Sequence, residues 1–377
     1  MIYLANARIP TEKAHGLQIM KMGEAFKKQG VNLDLVVAKR INNQLESYDP
    51  FEYYGLGVKF PLKKLWLIDL VDGGKSFRGL SVPIQNTSFA ISAFFYLLFK
   101  KADIIYSRDE FSLFFLSFFK KNLALELHTF PQSKIGLYKF IFKRVKKIIV
   151  ITQKLEDLVV KLGVSKDKII VCPDGVDLEQ FDIKESKKKC RQKLNLPLDK
   201  NIILYTGHLF AWKGVYTLAQ ASEFLSDKEL IIFVGGMEYD RDKVKDFIEK
   251  NNLKNILFFS HQLPTKIPYF LKAADVLVLP NSAKKKISVE YTSPMKMFEY
   301  MAAKRPIVAS NLPSIKEIIN QDNAALVKPD DPADLALGIK KILTDQLSGE
   351  RIVDNAFRIV GDYTWQKRAK KILNFIQ

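Results

Sequence analysis

The chain has 377 residues, 47% hydrophobic and 12% aromatic, enough for two domains that each bury a core. Its formal net charge of +18 calls for an anionic partner or surface, and its two cysteines, Cys172 and Cys190, exclude a disulfide framework and a Cys/His zinc cluster. No run of about 18 uninterrupted apolar residues occurs, so no membrane-spanning helix is expected, and Met1 leads into a strand-like segment rather than a signal peptide.

The predicted elements alternate between strand and helix, the mark of an α/β chain with parallel, doubly wound sheets. The first half opens with a strand at 2–5, then a loop and a helix over 17–29 closed by Gly30. Further strands are expected at 33–37, 104–106, 123–127, 148–151 and 169–171. The lysine-rich stretch 182–200 lacks periodicity and reads as an interdomain linker. The second half restarts with strands at 202–206, 230–234, 256–259, 276–279, 307–309 and 325–327. The domains are therefore placed at 1–181 and 201–361, with a last helix at 362–377, and their carboxyl edges are expected to face one another across a cleft.

Two segments carry anion-binding chemistry. Ser293-Pro-Met-Lys-Met-Phe-Glu299 reads as a helix start, with Ser293 as N-cap and Pro294 at the first helical position. The free N–H groups there, with Met295 and Lys296, suit a phosphate. Glu299, farther along, suits sugar hydroxyls, and phosphate with ribose hydroxyls describes a nucleotide. Lys296 could instead pair with Glu299, three residues away. The second segment, Gly207-His208-Leu-Phe-Ala-Trp-Lys213-Gly214, follows an apolar run as strand, glycine turn and helix. Lys213 adds a point charge. Alone, each segment is also compatible with a solvated or merely capped helix start; together, in this order, they favour a nucleotide site.

With these motifs the chain resembles the retaining glycosyltransferases of family 4, which have the GT-B fold of two Rossmann-like domains facing across a cleft. The segment Thr11–Ala25, containing His15 and Gly16, is similar to the family's first strand–loop–helix, where the glycine lies near donor and acceptor. Cys172-Pro-Asp174-Gly-Val-Asp-Leu is similar to its Pro-Asn-Gly-Val-Asp-Phe signature, with Asp174 for asparagine. Gly207–Gly214 resembles Gly-Arg-x4-Lys-Gly, with His208 in the arginine's place. The segment from Ser293 resembles the second half of a Glu-x7-Glu element, whose first glutamate is replaced by Tyr291, with Glu290 one residue out of register. Thr364–Ala369 resembles the helix that crosses back onto the first domain.

The resemblance implies transfer of a sugar from a nucleoside diphosphate, without a dedicated metal or cofactor, to a glycan or lipid-linked acceptor. It implies donor contacts from Gly16, Gly207, His208, Lys213, Gln262, Leu263, Ser293, Pro294, Met295, Lys296 and Glu299. Lys213 would stabilise the departing diphosphate. His128 stands just after an apolar strand, where ligands bind in such sheets, although it also suits a loop cap beside Pro131. The family places a histidine there against the donor sugar. Arg108, Glu290 and Tyr291 are further candidates for the donor sugar or acceptor. The basic loop from Lys284 to Glu290 fits both a flap over the diphosphate and a solvated surface.

No helix-turn-helix, zinc-finger or RNP-type pattern accompanies the charge, so nucleic acid is not the expected partner. Basic and aromatic residues mix at Phe94–Lys101, Phe111–Lys121 and Lys134–Lys147, which fits an anionic membrane surface, with Phe140 and Phe142 as apolar anchors. Solvated lysines on helices that flank a sheet are the plainer alternative. The expected location is cytoplasmic, peripheral on the inner face of the membrane, and the expected role is in cell-surface polysaccharide or glycolipid synthesis. A sugar-nucleotide epimerase of the same fold and an inactive sugar-nucleotide binder are the rival readings.

Overall fold

Apolar runs separated by helices form two parallel sheets, each covered on both faces, which is why the strand interiors carry almost no polar residues. The computed structural model describes residues 1–40, 45–70, 80–130 and 135–377. Pro131 and Lys134, in segments singled out above, lie outside them. The chain divides into one unit of Met1–Pro173 with Trp365–Gln377 and another of Asp174–Thr364.

The strands of the first unit are β1 (Ile2–Ala5), β2 (Asp34–Ala38), β3 (Leu62–Leu65), β4 (Ile105–Ser107), β5 (Leu123–Leu127), β6 (Lys147–Val150) and β7 (Ile169–Val171). They lie in the order β3-β2-β1-β4-β5-β6-β7, all parallel. The order reverses between β1 and β4, leaving a crevice at their carboxyl ends. β3 was not foreseen because its two central residues, Lys63 and Lys64, are exposed; it is a charged edge strand. The first helix spans Ala14–Lys28 and ends at Gly30, whose φ of 83° turns the chain. The last helix, Trp365–Ile376, packs against it through a stripe that includes Trp365, Ala369, Ile372 and Ile376.

The second unit has β8 (Asn201–Thr206), β9 (Glu229–Val234), β10 (Ile256–Phe259), β11 (Val276–Leu279), β12 (Ile307–Ser310) and β13 (Ala325–Val327). Their order is β10-β9-β8-β11-β12-β13, again all parallel. The reversal falls between β8 and β11.

Residues 182–200, expected as a linker, belong to this unit. They carry a helix, Lys187–Lys193, started by the Ser186 hydroxyl accepting from the Lys189 N–H. Cys190 is fully buried, and Arg191 bridges the Ala273 carbonyl and Asp275. The expectation failed because seven residues with one apolar and one buried cationic contact show no periodicity. No helix among the described residues is long and apolar enough to cross a membrane.

The turn after β8 depends on Gly214. Its φ is 74°, and a Cβ there would fall 1.6 Å from the Pro280 carbonyl oxygen. The Ser282 N–H donates to the Trp212 carbonyl at 3.0 Å, so the chain after β11 clasps this turn. Gly214→Ala should destabilise the protein by about 2 kcal/mol or more, from left-handed strain and the clash. Urea unfolding measures this; Gly136→Ala, on a helix with open space around it, should cost nothing. Equal midpoints for both variants would contradict the role of Gly214.

Candidate functional site

The carboxyl edge of the second sheet gathers most of the expected donor-binding residues. β8 ends at Gly207, with φ 116°, and β9 runs into Gly235, with φ 110°. A side chain at Gly235 would fall 2.9 Å from the Gly207 carbonyl oxygen, so these turns touch through bare backbone. Lys296 reaches the same place: a Cβ on Gly207 would lie 3.6 Å from its Nζ.

Lys296 opens the helix Met295–Ala302 and its ammonium sits 3.5 Å from the centre of the Tyr205 ring. Its Nζ is buried and has no hydrogen-bond partner among the described residues. The ion pair with Glu299 considered from the spacing does not form. Burial drives the Lys296 pKa well below its ordinary value, Lys213 adds to this, and Glu299 only partly opposes it. Burial raises the Glu299 carboxyl to about 7, against the pull of Lys296. Half-buried Lys213 is lowered by desolvation to about 8, with its ammonium 5.3 Å from the Trp212 ring and 5.6 Å from that of Phe210. Two lysines with weakened proton affinity therefore share a partly dry corner with a carboxyl that holds its proton more tightly than usual, an arrangement that an anion would relieve.

Ser293 is not the N-cap. That place is taken by Pro294, and the Ser293 hydroxyl accepts from the Asp174 N–H at 3.1 Å. Pro294 lies one residue outside the helix and its carbonyl accepts from Met297. Glu290 and Tyr291 lie in a one-turn π-helix, Ile287–Tyr291, with Tyr291 buried. The basic loop before them is tied down at its far end, where Ser314 donates to the Ser288 carbonyl at 2.6 Å. The His208 ring stacks on Phe210, and Gln262 and Leu263 occupy the turn after β10, where Gln262 donates to the Ser260 carbonyl.

In the first unit, the carboxyl edge is organised by a residue the motifs did not single out. Glu126 points into the core from β5 and is fully buried. Its carboxylate accepts from Gln18 at 2.9 Å, from Arg368 at 2.8 Å and from Tyr106, and lies 2.6 Å from His128 Nε2. Burial alone would raise its pKa, but Arg368 and His128 hold it at about 2. The single acidic residue in the run Leu123–Leu127 was the available signal. Arg108 donates to Gln18, and burial with the Arg108 and Lys13 charges lowers His15 to about 3, keeping it neutral. Glu110 is raised to about 7 by burial. The Cβ direction at Gly16 is filled by its own unit: a Cβ there would fall 2.3 Å from the Tyr54 hydroxyl and 2.5 Å from the Thr11 methyl.

Comparison with known proteins agrees with this geometry. The pattern of Glycosyltransferase Family 4 matches residues 17–180, and that of Glycosyl transferases group 1 matches residues 186–359. The chain belongs to glycosyltransferase family 4. It is 25% identical over 240 residues to a Bacillus subtilis protein named as the teichuronic acid biosynthesis glycosyltransferase TuaC. It is 26% identical over 242 residues to the Escherichia coli UDP-Gal:alpha-D-GlcNAc-diphosphoundecaprenol alpha-1,3-galactosyltransferase. Each alignment takes in 62% of this chain, and the chain spans 57% and 60% of those relatives' own lengths. Anabaena HepE, solved with UDP and glucose, has the same GT-B fold at a TM-score of 0.75 and 16% identity, covering 99% of this chain and 98% of HepE.

Arg368→Ala would leave the Glu126 carboxylate buried without its cation, costing about 3–5 kcal/mol. Denaturant unfolding checks this. A loss below about 1 kcal/mol would mean that Glu126 takes up a proton cheaply and does not depend on Arg368.

Proposed function

We propose that this family member transfers a sugar, with retention of anomeric configuration, from a nucleoside diphosphate to a glycan or lipid-linked acceptor in cell-surface polysaccharide or glycolipid synthesis. The observation that carries the reading is the pair Lys213 and Lys296 at the end of β8, both desolvated, with no contacting carboxylate among the described residues. HepE, with UDP and glucose, and the galactosyltransferase, named for a diphosphoundecaprenol acceptor, support the ligand classes.

In this reading the bond from the sugar C1 to the β-phosphate oxygen breaks as an acceptor hydroxyl oxygen bonds to C1 on the same face. The acceptor proton leaves with the diphosphate. Charge growing on the phosphate is met by Lys213, Lys296 and the N–H groups from Met295 onward, with no metal or cofactor required of the protein. Gly207 and His208 lie against the phosphates, Glu299 accepts from the ribose, and Gln262 and Leu263 lie along the base. His128, held by Glu126, faces the donor sugar, and Arg108 the acceptor.

The excess charge is assigned to an anionic membrane, with the protein peripheral on its cytoplasmic face. The apolar contact is not Phe142, which is buried, and Phe140 is only half-exposed. Instead Phe95, Phe99, Phe118 and Phe119 are 66%, 89%, 52% and 63% exposed, beside Lys100, Lys101, Lys120 and Lys121. Phe94 packs on Phe119 at 5.2 Å, and Arg144 lies 4.9 Å from the Phe118 ring centre and 4.5 Å from that of Phe140, so three segments make one patch. Lys146 and Lys147 are engaged elsewhere, the former on the carbonyls of Ile376 and Gln377, the latter on Asp167.

Lys213→Ala should lower turnover by roughly two to three orders of magnitude while the fold survives. Steady-state kinetics beside thermal melting reads both, and near-normal turnover in a folded variant would remove Lys213 from the leaving-group site.

Diphosphate binding should also depend on pH. The lysine ammonium form binds the anion, so affinity is full below the Lys213 value of about 8 and is lost as pH rises through it. UDP should bind about tenfold more weakly at pH 9 than at pH 7. Calorimetry measures this, and Lys213→Ala should flatten the profile; a flat wild-type profile would contradict the assignment.

Membrane docking should be reversible and salt-sensitive, each basic residue adding about 1 kcal/mol. Flotation with phosphatidylglycerol vesicles at low salt should carry the wild type and leave a Phe99→Asp, Phe119→Asp variant behind. A wild type that stays at the bottom would make a soluble acceptor the better reading.

A further inference from the structure

A cavity of about 350 Å³ opens on the second unit beside the corner described above, lined by Leu209, Phe210, Trp212, Tyr216, Asp240 and Lys243. We propose that it is a second glycan site, taking a pyranose ring of the acceptor or product saccharide between its aromatic wall and the Asp240 carboxylate.

The wall is built by sequence alternation. From Gly207 the chain places rings at His208, Phe210 and Trp212, every second residue. His208 and Phe210 stack with centres 5.1 Å apart and planes 4° apart, and Phe210 and Trp212 with centres 6.5 Å apart and planes 24° apart. The stack leaves Phe210 39% exposed. Tyr216 is held from behind by Phe247, edge to face at 5.0 Å, so it is a fixed part of the wall.

The lining also carries polar groups. Asp240 lies in the first turn of the helix Glu238–Lys250, and its carboxylate makes no hydrogen bond or close ion pair among the described residues. Lys243, one turn on, rests its ammonium 4.1 Å from the Tyr239 ring. An aromatic lining that also holds one acceptor carboxylate and one cation is the chemistry of a sugar ring, which offers C–H groups on a face and hydroxyls at its edge. A fatty chain would leave Asp240 without use, and a phosphate would be repelled by it. The volume lies at the low end of small-molecule sites, roughly 300–1,000 Å³, and admits a short sugar unit rather than a polymer. Because Phe210 and Trp212 belong to the same loop as His208 and Lys213, a saccharide held here is held next to the donor corner.

The test uses the full chain with saturating UDP present, so that the donor corner is occupied. Saturation-transfer NMR is run with the methyl α-glycosides of glucose, galactose, mannose and N-acetylglucosamine as probes. UDP affinity is measured separately by calorimetry, so failure of the donor reading and failure of this one are read apart. At least one glycoside should receive saturation, strongest on the C–H protons of one ring face. Phe210→Ala should weaken that probe tenfold or more, and Asp240→Ala, a surface change that leaves the fold alone, at least threefold. No transfer to any probe, transfer abolished by UDP, unchanged affinity in Asp240→Ala, or equal saturation of decanoate would each overturn the proposal.

Discussion

The second unit gathers two lysines whose proton affinity burial weakens and which meet no contacting carboxylate among the described residues. Lys213 and Lys296 stand at the end of β8, both desolvated, and Glu299 is the carboxyl that answers Lys296 through space. Holding two ammonium groups this way costs stability, and the cost shows as depressed proton affinity. A diphosphate would return that energy on binding, which is how strain at a site becomes affinity for a ligand. The surrounding architecture keeps the corner in place: bare glycine turns after β8 and β9, the clasp of Pro280 and Ser282 on the Gly214 turn, and the Tyr205 ring beneath Lys296.

The first unit handles a buried charge in the opposite manner. Glu126 is fully enclosed and fully satisfied, by Arg368, Gln18, Tyr106 and His128. Those partners come from the last helix, the first helix and β4, and from the loop after β5. One carboxylate therefore ties the C-terminal helix to the sheet and fixes which nitrogen of His128 faces inward. Satisfied networks of this kind hold geometry, whereas the unsatisfied cations of the other unit wait for a partner.

Much of this was legible in the sequence, for physical reasons. Central strands buried on both faces and apolar edge strands alike read as continuous apolar runs, so β1, β5, β7, β10, β11 and β13 lie where the runs are. The edge strand β3 escaped because its exposed lysines break that pattern, and the helix Lys187–Lys193 because a buried arginine looks like a solvated one until its carbonyl partner is known. Lys213, Lys296 and Glu299 could be singled out by spacing, since neighbouring turns of one helix and a βα turn are local features. Ser293 was misplaced because its hydroxyl serves Asp174, over a hundred residues away in sequence. Glu126 was overlooked for the same reason: what makes it central is its long-range partners. The aromatic residues show the limit most plainly, since Phe119 and Phe142 are equivalent in composition and opposite in exposure.

The most direct test of the account is transfer itself. The full chain is incubated with a panel of radiolabelled UDP-, GDP- and ADP-sugars and a bacterial membrane lipid extract, and label is followed into lipid and glycan fractions. The account predicts that one donor passes its sugar to an acceptor in that extract, with the anomeric configuration of the donor kept in the product. A folded protein that binds a nucleoside diphosphate yet neither transfers nor hydrolyses any donor would contradict it, and would leave the chain a sugar-nucleotide binder built on a glycosyltransferase fold.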